Sequence, residues 1–248
     1  MDFDRINPVA LISGATSGAG AATAGPLAYG AEGGLVLIDS SAAALDALAD
    51  KLGESAPERV SMLAHDGGDD LRWWDRAGAF IKDHYGRLDW AVINACAPPE
   101  TNDSDLIDFS RGGSTSMQTA QRALRTILPL MQFNTLGGAI VIIAPPAALK
   151  SDGNLLQTIR AAAKEGADSH IRVNAIVLGS AQGAIQSFQD IVRETGSERA
   201  AFEILANLTP SLANVGAVSD INSLVLPLLT GQTPVSGVTL VVDGGYTL

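Results

Sequence analysis

The sequence predicts an α/β fold: a doubly wound, seven-stranded parallel sheet in a single domain spanning residues 1–248. Three observations carry that expectation. Short apolar runs alternate with longer amphipathic stretches from one end of the chain to the other. The runs are continuously apolar, as strands covered on both faces must be. The first of them leads straight into a glycine-rich turn and then a helix, the arrangement that opens nucleotide-binding sheets.

The first strand is expected at residues 9–12, and the helix after its turn at residues 21–29. Gly25-Pro26 should kink or weaken that helix, because proline lacks the N–H that closes a helical turn. A second strand at 35–38 ends on Asp39 and is followed by a helix at 42–52. The third strand, 60–63, precedes a helix at 71–85, and the fourth, 90–93, precedes one at 115–131. Strand five is the run Ile140-Val141-Ile142-Ile143, which stops at Ala144-Pro145-Pro146 before a helix at 155–167. Strand six covers 171–177, helices are expected at 186–208 and 219–229, and strand seven closes the series at 238–242. No linker, repeat or low-complexity tract interrupts the alternation, so one domain is the simplest organisation.

With 248 residues, 46% of them hydrophobic, the chain is long enough to bury a large core. A net charge of −11 argues against nucleic acid, whose phosphates need a basic surface. It does not exclude a nucleotide held by backbone amides. Cys96 is the one cysteine, which rules out an intrachain disulfide and fits a reducing compartment. The start, MDFDRINP, lacks the basic-then-apolar pattern of a signal peptide, and no apolar run approaches the roughly 20 residues of a membrane span. The expectation is a cytoplasmic protein without a membrane partner.

The turn reads Ser13-Gly14-Ala15-Thr16-Ser17-Gly18-Ala19-Gly20. Glycines there allow a tight bend and let amides approach a pyrophosphate at a helix N-terminus. Asp39 stands where a carboxylate would accept hydrogen bonds from an adenosine ribose. An acid at that point favours NAD over NADP, since it repels a 2′-phosphate, and Ser40-Ser41 rather than arginine follow it.

The turn resembles the T-G-x-x-x-G-I-G of the short-chain dehydrogenase/reductase family, with Ser13 for Thr and Ala19 for Ile. The likeness extends over nearly all of the chain. Asp66 matches the family's acidic residue that contacts the adenine ring. Residues 86–96 resemble G-x-x-D-x-L-V-N-N-A-G, keeping Asn94 and Ala95 but placing Ile93 and Cys96 where an Asn and a Gly belong. Ile171-Arg172-Val173-Asn174 matches the strand-six signature, and residues 236–245 resemble T-G-x-x-x-x-V-D-G-G. The resemblance implies a Rossmann-like sheet and an adenosine site made by Gly14, Ser17, Gly18, Gly20, Asp39, Asp66 and Asn94, in vestigial or weakened form. NAD is the cofactor implied, if any nucleotide binds at all.

The family's chemistry is hydride transfer, with a tyrosine donating or taking the proton. Tyrosine ionises at about pH 10, so a lysine one helical turn away and the cationic nicotinamide must lower it. A serine holds the substrate oxygen and an asparagine completes the proton path. By that resemblance, Ala144 and Pro145 stand at the serine, Ala148 at the tyrosine, Asp152 at the lysine, and Ser116 or Met117 at the asparagine. The chain's three tyrosines, Tyr29, Tyr85 and Tyr246, all fall outside the interval between strands five and six. The connection before the fifth helix is also short for the family. After strand six, Leu178-Gly179 replaces P-G, and Gly183 replaces a threonine near the nicotinamide. No catalytic residue is therefore assigned.

Replacement chemistry finds little support. Lys150 reads as a solvated loop lysine, and Glu100 and Asp103 as solvated loop acids. His65, His84 and His170 lack metal-ligand spacing, Trp73-Trp74 read as packing, and Ser211 and Ser219 join no triad. Cys96 reads as a small apolar residue filling a glycine's place. Family members assemble as tetramers, some pairing an active subunit with an inactive one. Examples are ketoacyl-carrier reductases and the hydroxyacyl-CoA dehydrogenase of anaerobic toluene degradation through benzylsuccinate. The chain is similar to such an inactive subunit, which implies a sister subunit with intact Y-x-x-x-K as its partner. An active oxidoreductase using Lys150 or Ser116, or a nucleotide sensor, are the alternatives. The stripes Ala120, Ala123, Leu124, Ile127, Met131 and Leu156, Ile159, Ala163 would serve either a neighbouring subunit or the chain's own sheet.

Overall fold

Strands β1 (Val9–Ser13), β2 (Gly34–Asp39), β3 (Val60–Ala64), β4 (Trp90–Asn94), β5 (Gly138–Ala144), β6 (Ile171–Leu178) and β7 (Thr239–Val242) form one sheet in the computed structural model. Their order is β3-β2-β1-β4-β5-β6-β7, and every pair is parallel. The structure describes residues 7–16, 18–53, 59–65, 72–96, 113–149, 154–178, 192, 195–200, 203, 221–231 and 234–242. Connecting helices are α1 (Gly18–Gly30), α2 (Ala42–Gly53), α3 (Trp73–His84), α4 (Gly113–Met131), α5 (Leu155–Gly166) and α6 (Asn222–Thr230). Of the expected helix at 186–208, the structure describes residues 192, 195–200 and 203, and these break it in two. Gly196, at φ +67°, donates to the Val192 carbonyl at the end of one piece, and Ser197 Oγ accepts the Ala200 N–H at the start of the next. Among the described residues, no helix is long and apolar enough to cross a membrane.

The continuous apolar runs are explained by two cores, one on each face of the sheet. Side chains alternate along a strand, so β1 sends Val9 and Leu11 to one face and Ala10 and Ile12 to the other. The first core takes Trp74 and Ile81 of α3, the inner faces of α4 and α5, and Ile140 and Ile142 of β5. The second takes Leu27 of α1, Leu45 of α2, Val225 of α6, and Val141 and Ile143 of β5. The stripe on α4 is spent on the chain's own sheet, because Ala120, Ala123, Leu124, Ile127 and Met131 are all buried. On α5, Ile159 is buried as well, while Leu156 is exposed.

Three polar devices fix the frame. Asp89, buried just before β4, accepts the Val9 N–H at 2.8 Å and both nitrogens of a bidentate Arg87. Asn174 on β6 donates to the Val235 carbonyl and accepts from the Val238 N–H, so it sets the segment entering β7. Arg172 donates to the Leu228 and Leu229 carbonyls at 2.5 and 2.9 Å, which satisfies the C-terminal end of α6.

Helix α1 runs from Gly18 to Gly30 with Pro26 inside it, the residue that should kink or weaken it. Proline leaves the Ala22 carbonyl without its i+4 donor. Asn222, at the start of α6, supplies one instead, its Nδ2 lying 2.9 Å from that oxygen. A buried carbonyl left without a donor costs about 1–3 kcal/mol. Replacing Asn222 by Ala should therefore cost about 1–2 kcal/mol in urea unfolding. In a Pro26→Ala background the restored N–H should remove most of that cost, so the double-mutant cycle should show clear coupling. Additive losses would mean that the Asn222 bond does not compensate for Pro26.

Candidate functional site

The strand order reverses direction between β1 and β4, and the crevice at their carboxyl ends is where such sheets receive ligands. Ser13, Asn94 and Ala144 close the three strands that reach it. Two of these positions decide what the crevice can do.

The β1–α1 turn is built around close backbone approaches. Gly14 has φ +63°, and a Cβ there would stand 3.0 Å from the Cβ of Asn94. Gly20 lies so near the turn that a Cβ would come 2.0 Å from the Gly14 oxygen. Only glycine fits there, so the start of α1 is packed hard against the turn. Gly18 has φ +48°, and among the described residues nothing lies within 4 Å of its Cβ position at the helix N-terminus. Asn94, mostly buried, donates from Nδ2 to the Gly14 carbonyl at 3.3 Å and accepts from the Cys96 N–H.

Asp39, expected as a ribose acceptor, is held by bonds within the chain itself. Its Oδ2 accepts the Thr16 N–H at 2.9 Å, and its Oδ1 accepts the Ser40 N–H at 2.7 Å and the Ser40 hydroxyl. Asp39 is therefore a strut between β2 and the turn. The Thr16 hydroxyl also bonds this carboxylate, so a ribose hydroxyl would share it with Thr16 and Ser40. Partial burial alone would push the carboxyl up, but the bonds from Thr16 and Ser40 outweigh it and hold Asp39 below the ordinary carboxylate value of 3.8. The Ala15 amide is spent on the Ile38 carbonyl. The amides left for an anion are those of the first turn of α1, at Gly18, Ala19 and Gly20. The residues present thus fit a pyrophosphate and one ribose hydroxyl. Ser17 and Asp66, the remaining expected contacts, lie outside the described residues.

Among the described residues, the other side of the crevice, at the end of β5, is apolar. Ala144 ends β5 fully buried, and Pro145 leads into a 3-10 turn, Pro146–Leu149. Ala148, at the position of the family's tyrosine, is itself buried in the first core. Met117 is buried in that core too, and the Ser116 hydroxyl is buried without a hydrogen-bond partner. Tyr85 occupies the amino end of the sheet, where its ring fills the space a Cβ on Gly34 would take and its hydroxyl meets Ser61 Oγ at 2.7 Å. Tyr29 is exposed on the last turn of α1. Neither lies at the crevice. Lys150, Asp152, Glu100, Asp103, Gly179, Gly183, Ser211, Ser219 and Tyr246 lie outside the described residues.

Cys96 follows the crevice rim and packs against the second core. Burial pushes its thiol up to about 12, so it is not poised as a nucleophile. His65 stacks on Trp73, with ring centroids 4.3 Å apart, which accounts for both as packing. Among the described residues, no group of three His, Cys, Asp or Glu side chains could hold a metal.

A family model described as enoyl-(acyl carrier protein) reductase matches residues 14–247. Among solved structures, levodione reductase is 24% identical, with a TM-score of 0.74 over 96% of this chain and 97% of its own. An NADPH-dependent reductase involved in bacilysin biosynthesis is 21% identical, with a TM-score of 0.75 over 97% and 98% of the two chains. NAD⁺-bound xylitol dehydrogenase is 21% identical, with a TM-score of 0.73 over 96% and 98%. No curated protein matches the chain in sequence.

The depressed pKa of Asp39 has a stability consequence of fixed sign. Its stabilising contribution is present above 3.8 and is lost as the pH falls through the lower folded-state value. Urea unfolding between pH 7 and pH 3 should show Asp39→Asn losing less stability with falling pH than the parent chain. Parallel curves would mean that the carboxylate does not brace the turn.

Proposed function

The chain belongs to the short-chain dehydrogenase/reductase family, and from that premise we propose that it is a non-catalytic subunit of an NAD-dependent alcohol or hydroxyacyl-CoA dehydrogenase complex. The observation that carries this reading is the end of β5. Ala144, Pro145 and the buried Ala148 stand where the family's proton-transfer groups belong, and none can donate or accept a proton through its side chain. A nicotinamide cofactor supplies hydride transfer, but among the described residues the proton that must move with it has no carrier at the end of β5.

What the chain's own residues can do is bind. Among the described residues, nothing crowds Gly18 at the N-terminus of α1, where a phosphate would sit, and a ribose hydroxyl would share the Asp39 carboxylate with Thr16 and Ser40. The same carboxylate disfavours a 2′-phosphate, which supports NAD over NADP as the nucleotide of this turn. The partner proposed is a catalytically intact sister subunit within a tetramer, as in the benzylsuccinate-pathway enzyme. Apolar side chains open to a partner include Val241 on β7, the last strand of the sheet, and Leu156 on α5. They replace the α4 stripe as support for assembly, since that stripe is consumed by the core.

The direct test is turnover by the purified chain alone, with NAD and a panel of secondary alcohols and hydroxyacyl-CoA thioesters. The expected rate is no higher than the solution without protein. Co-expression with a family member bearing Y-x-x-x-K from the same genomic neighbourhood should yield a stable complex that does turn over. An ordinary dehydrogenase rate from the isolated chain, abolished by Ser116→Ala or Lys150→Ala, would replace this reading with an unconventional active enzyme.

A further inference from the structure

A cleft of about 650 Å³ lies away from the crevice, where the C-terminal half of α5 and the start of β6 meet the segment before β7. Its basic side chains are Arg160, Lys164, His170 and Arg172, and among the described residues no acid lines it. That is unexpected in a chain carrying 27 Asp and Glu against 16 Lys and Arg. Glu165 and Asp168 lie in the same stretch of sequence yet stay outside the lining. Arg160 and Lys164 are one helical turn apart and exposed, and among the described residues neither has a carboxylate partner.

The bland explanation covers only part of this. A cation in the last turn of a helix complements the helix dipole, which accounts for Lys164. It does not account for Arg160, more than a turn earlier, or for Arg172 on β6. Two Arg172 nitrogens are held by the end of α6, and burial lowers its pKa, so an anion beside it would offset lost hydration. The rest of the described lining is mostly apolar, with Ala163, Ala167, Ile171 and Pro234, and its one hydroxyl, on Ser236, accepts the Val173 N–H. Gly237, at φ +79°, brings the segment before β7 against α5, where its Cβ position is 3.5 Å from Ala163. The volume falls in the range of small-molecule sites and exceeds what a bare phosphate would fill.

We propose that this cleft binds an organic anion, a phosphate or carboxylate head held by Arg160 and Lys164 with an apolar body against Ala163 and Ile171. The site is separate from the glycine turn, and its test uses the chain alone, since Arg160 and Lys164 share the α5 face that carries Leu156. Calorimetry on the full chain with octyl phosphate, octanoate and inorganic phosphate tests it. The expected result is one-to-one binding of octyl phosphate or octanoate, the tighter of the two identifying the head group. That ligand should bind at least tenfold more tightly than inorganic phosphate, because only it uses the apolar lining. Arg160→Ala with Lys164→Ala should weaken it at least tenfold. Arg199→Ala, which removes an exposed cation elsewhere paired with Glu203, should leave it unchanged. No saturable binding of either amphiphile, equal affinity for inorganic phosphate, or equal weakening by both sets of substitutions would overturn the proposal.

Discussion

The approach of α1 to its own turn governs the candidate site. Because Gly20 has no Cβ, the helix start can sit against the Gly14 carbonyl, and that same carbonyl accepts a hydrogen bond from Asn94. Three elements, β1, α1 and β4, are thereby locked at the point where the strand order reverses. Asp39 adds a fourth by tying the end of β2 to Thr16. A side chain on Gly20 would separate the helix from the turn, and the amides of its first turn would no longer converge. The glycine-turn half of the crevice therefore depends on contacts that also hold the fold.

The nicotinamide half has no such tie. In its place β5 runs into a proline-led 3-10 turn, and Ala148 contributes to the first core rather than to a cleft. Filling that position with an apolar side chain stabilises the packing between α4 and β5. Reintroducing a tyrosine would require opening that core. The two halves thus differ in kind: one is a structural joint that also fits a nucleotide, and the other is ordinary interior.

Much of this was legible in the sequence. The strands were readable because a sheet covered on both faces needs continuous apolar runs, and all seven appear within about two residues of where periodicity puts them. The glycine turn and Asp39 were readable because backbone approach and carboxylate placement leave fixed residue types. The bracing role of Asp39 was not, since nothing in the spacing says that an expected ribose acceptor also braces the turn. The α4 stripe was ambiguous for a physical reason: packing on a sheet and packing on a neighbour ask for the same helical period. The bond from Asn222 to the Ala22 carbonyl joins residues 200 apart in the chain and rescues Pro26, so local rules read only the defect. The basic cleft was hidden because Glu165 and Asp168 interleave with its cations in sequence and separate from them only on folding.

The central claim is that the chain retains one half of a dinucleotide site and has lost the other. Calorimetry with NAD and with ADP-ribose, which lacks the nicotinamide ring, compares those halves directly. The account predicts that both bind with affinities within a factor of a few, because the described residues at the end of β5, Ala144 and Pro145, offer the ring no polar partner. Binding of NAD tenfold or more tighter than ADP-ribose would show a working nicotinamide pocket and contradict it.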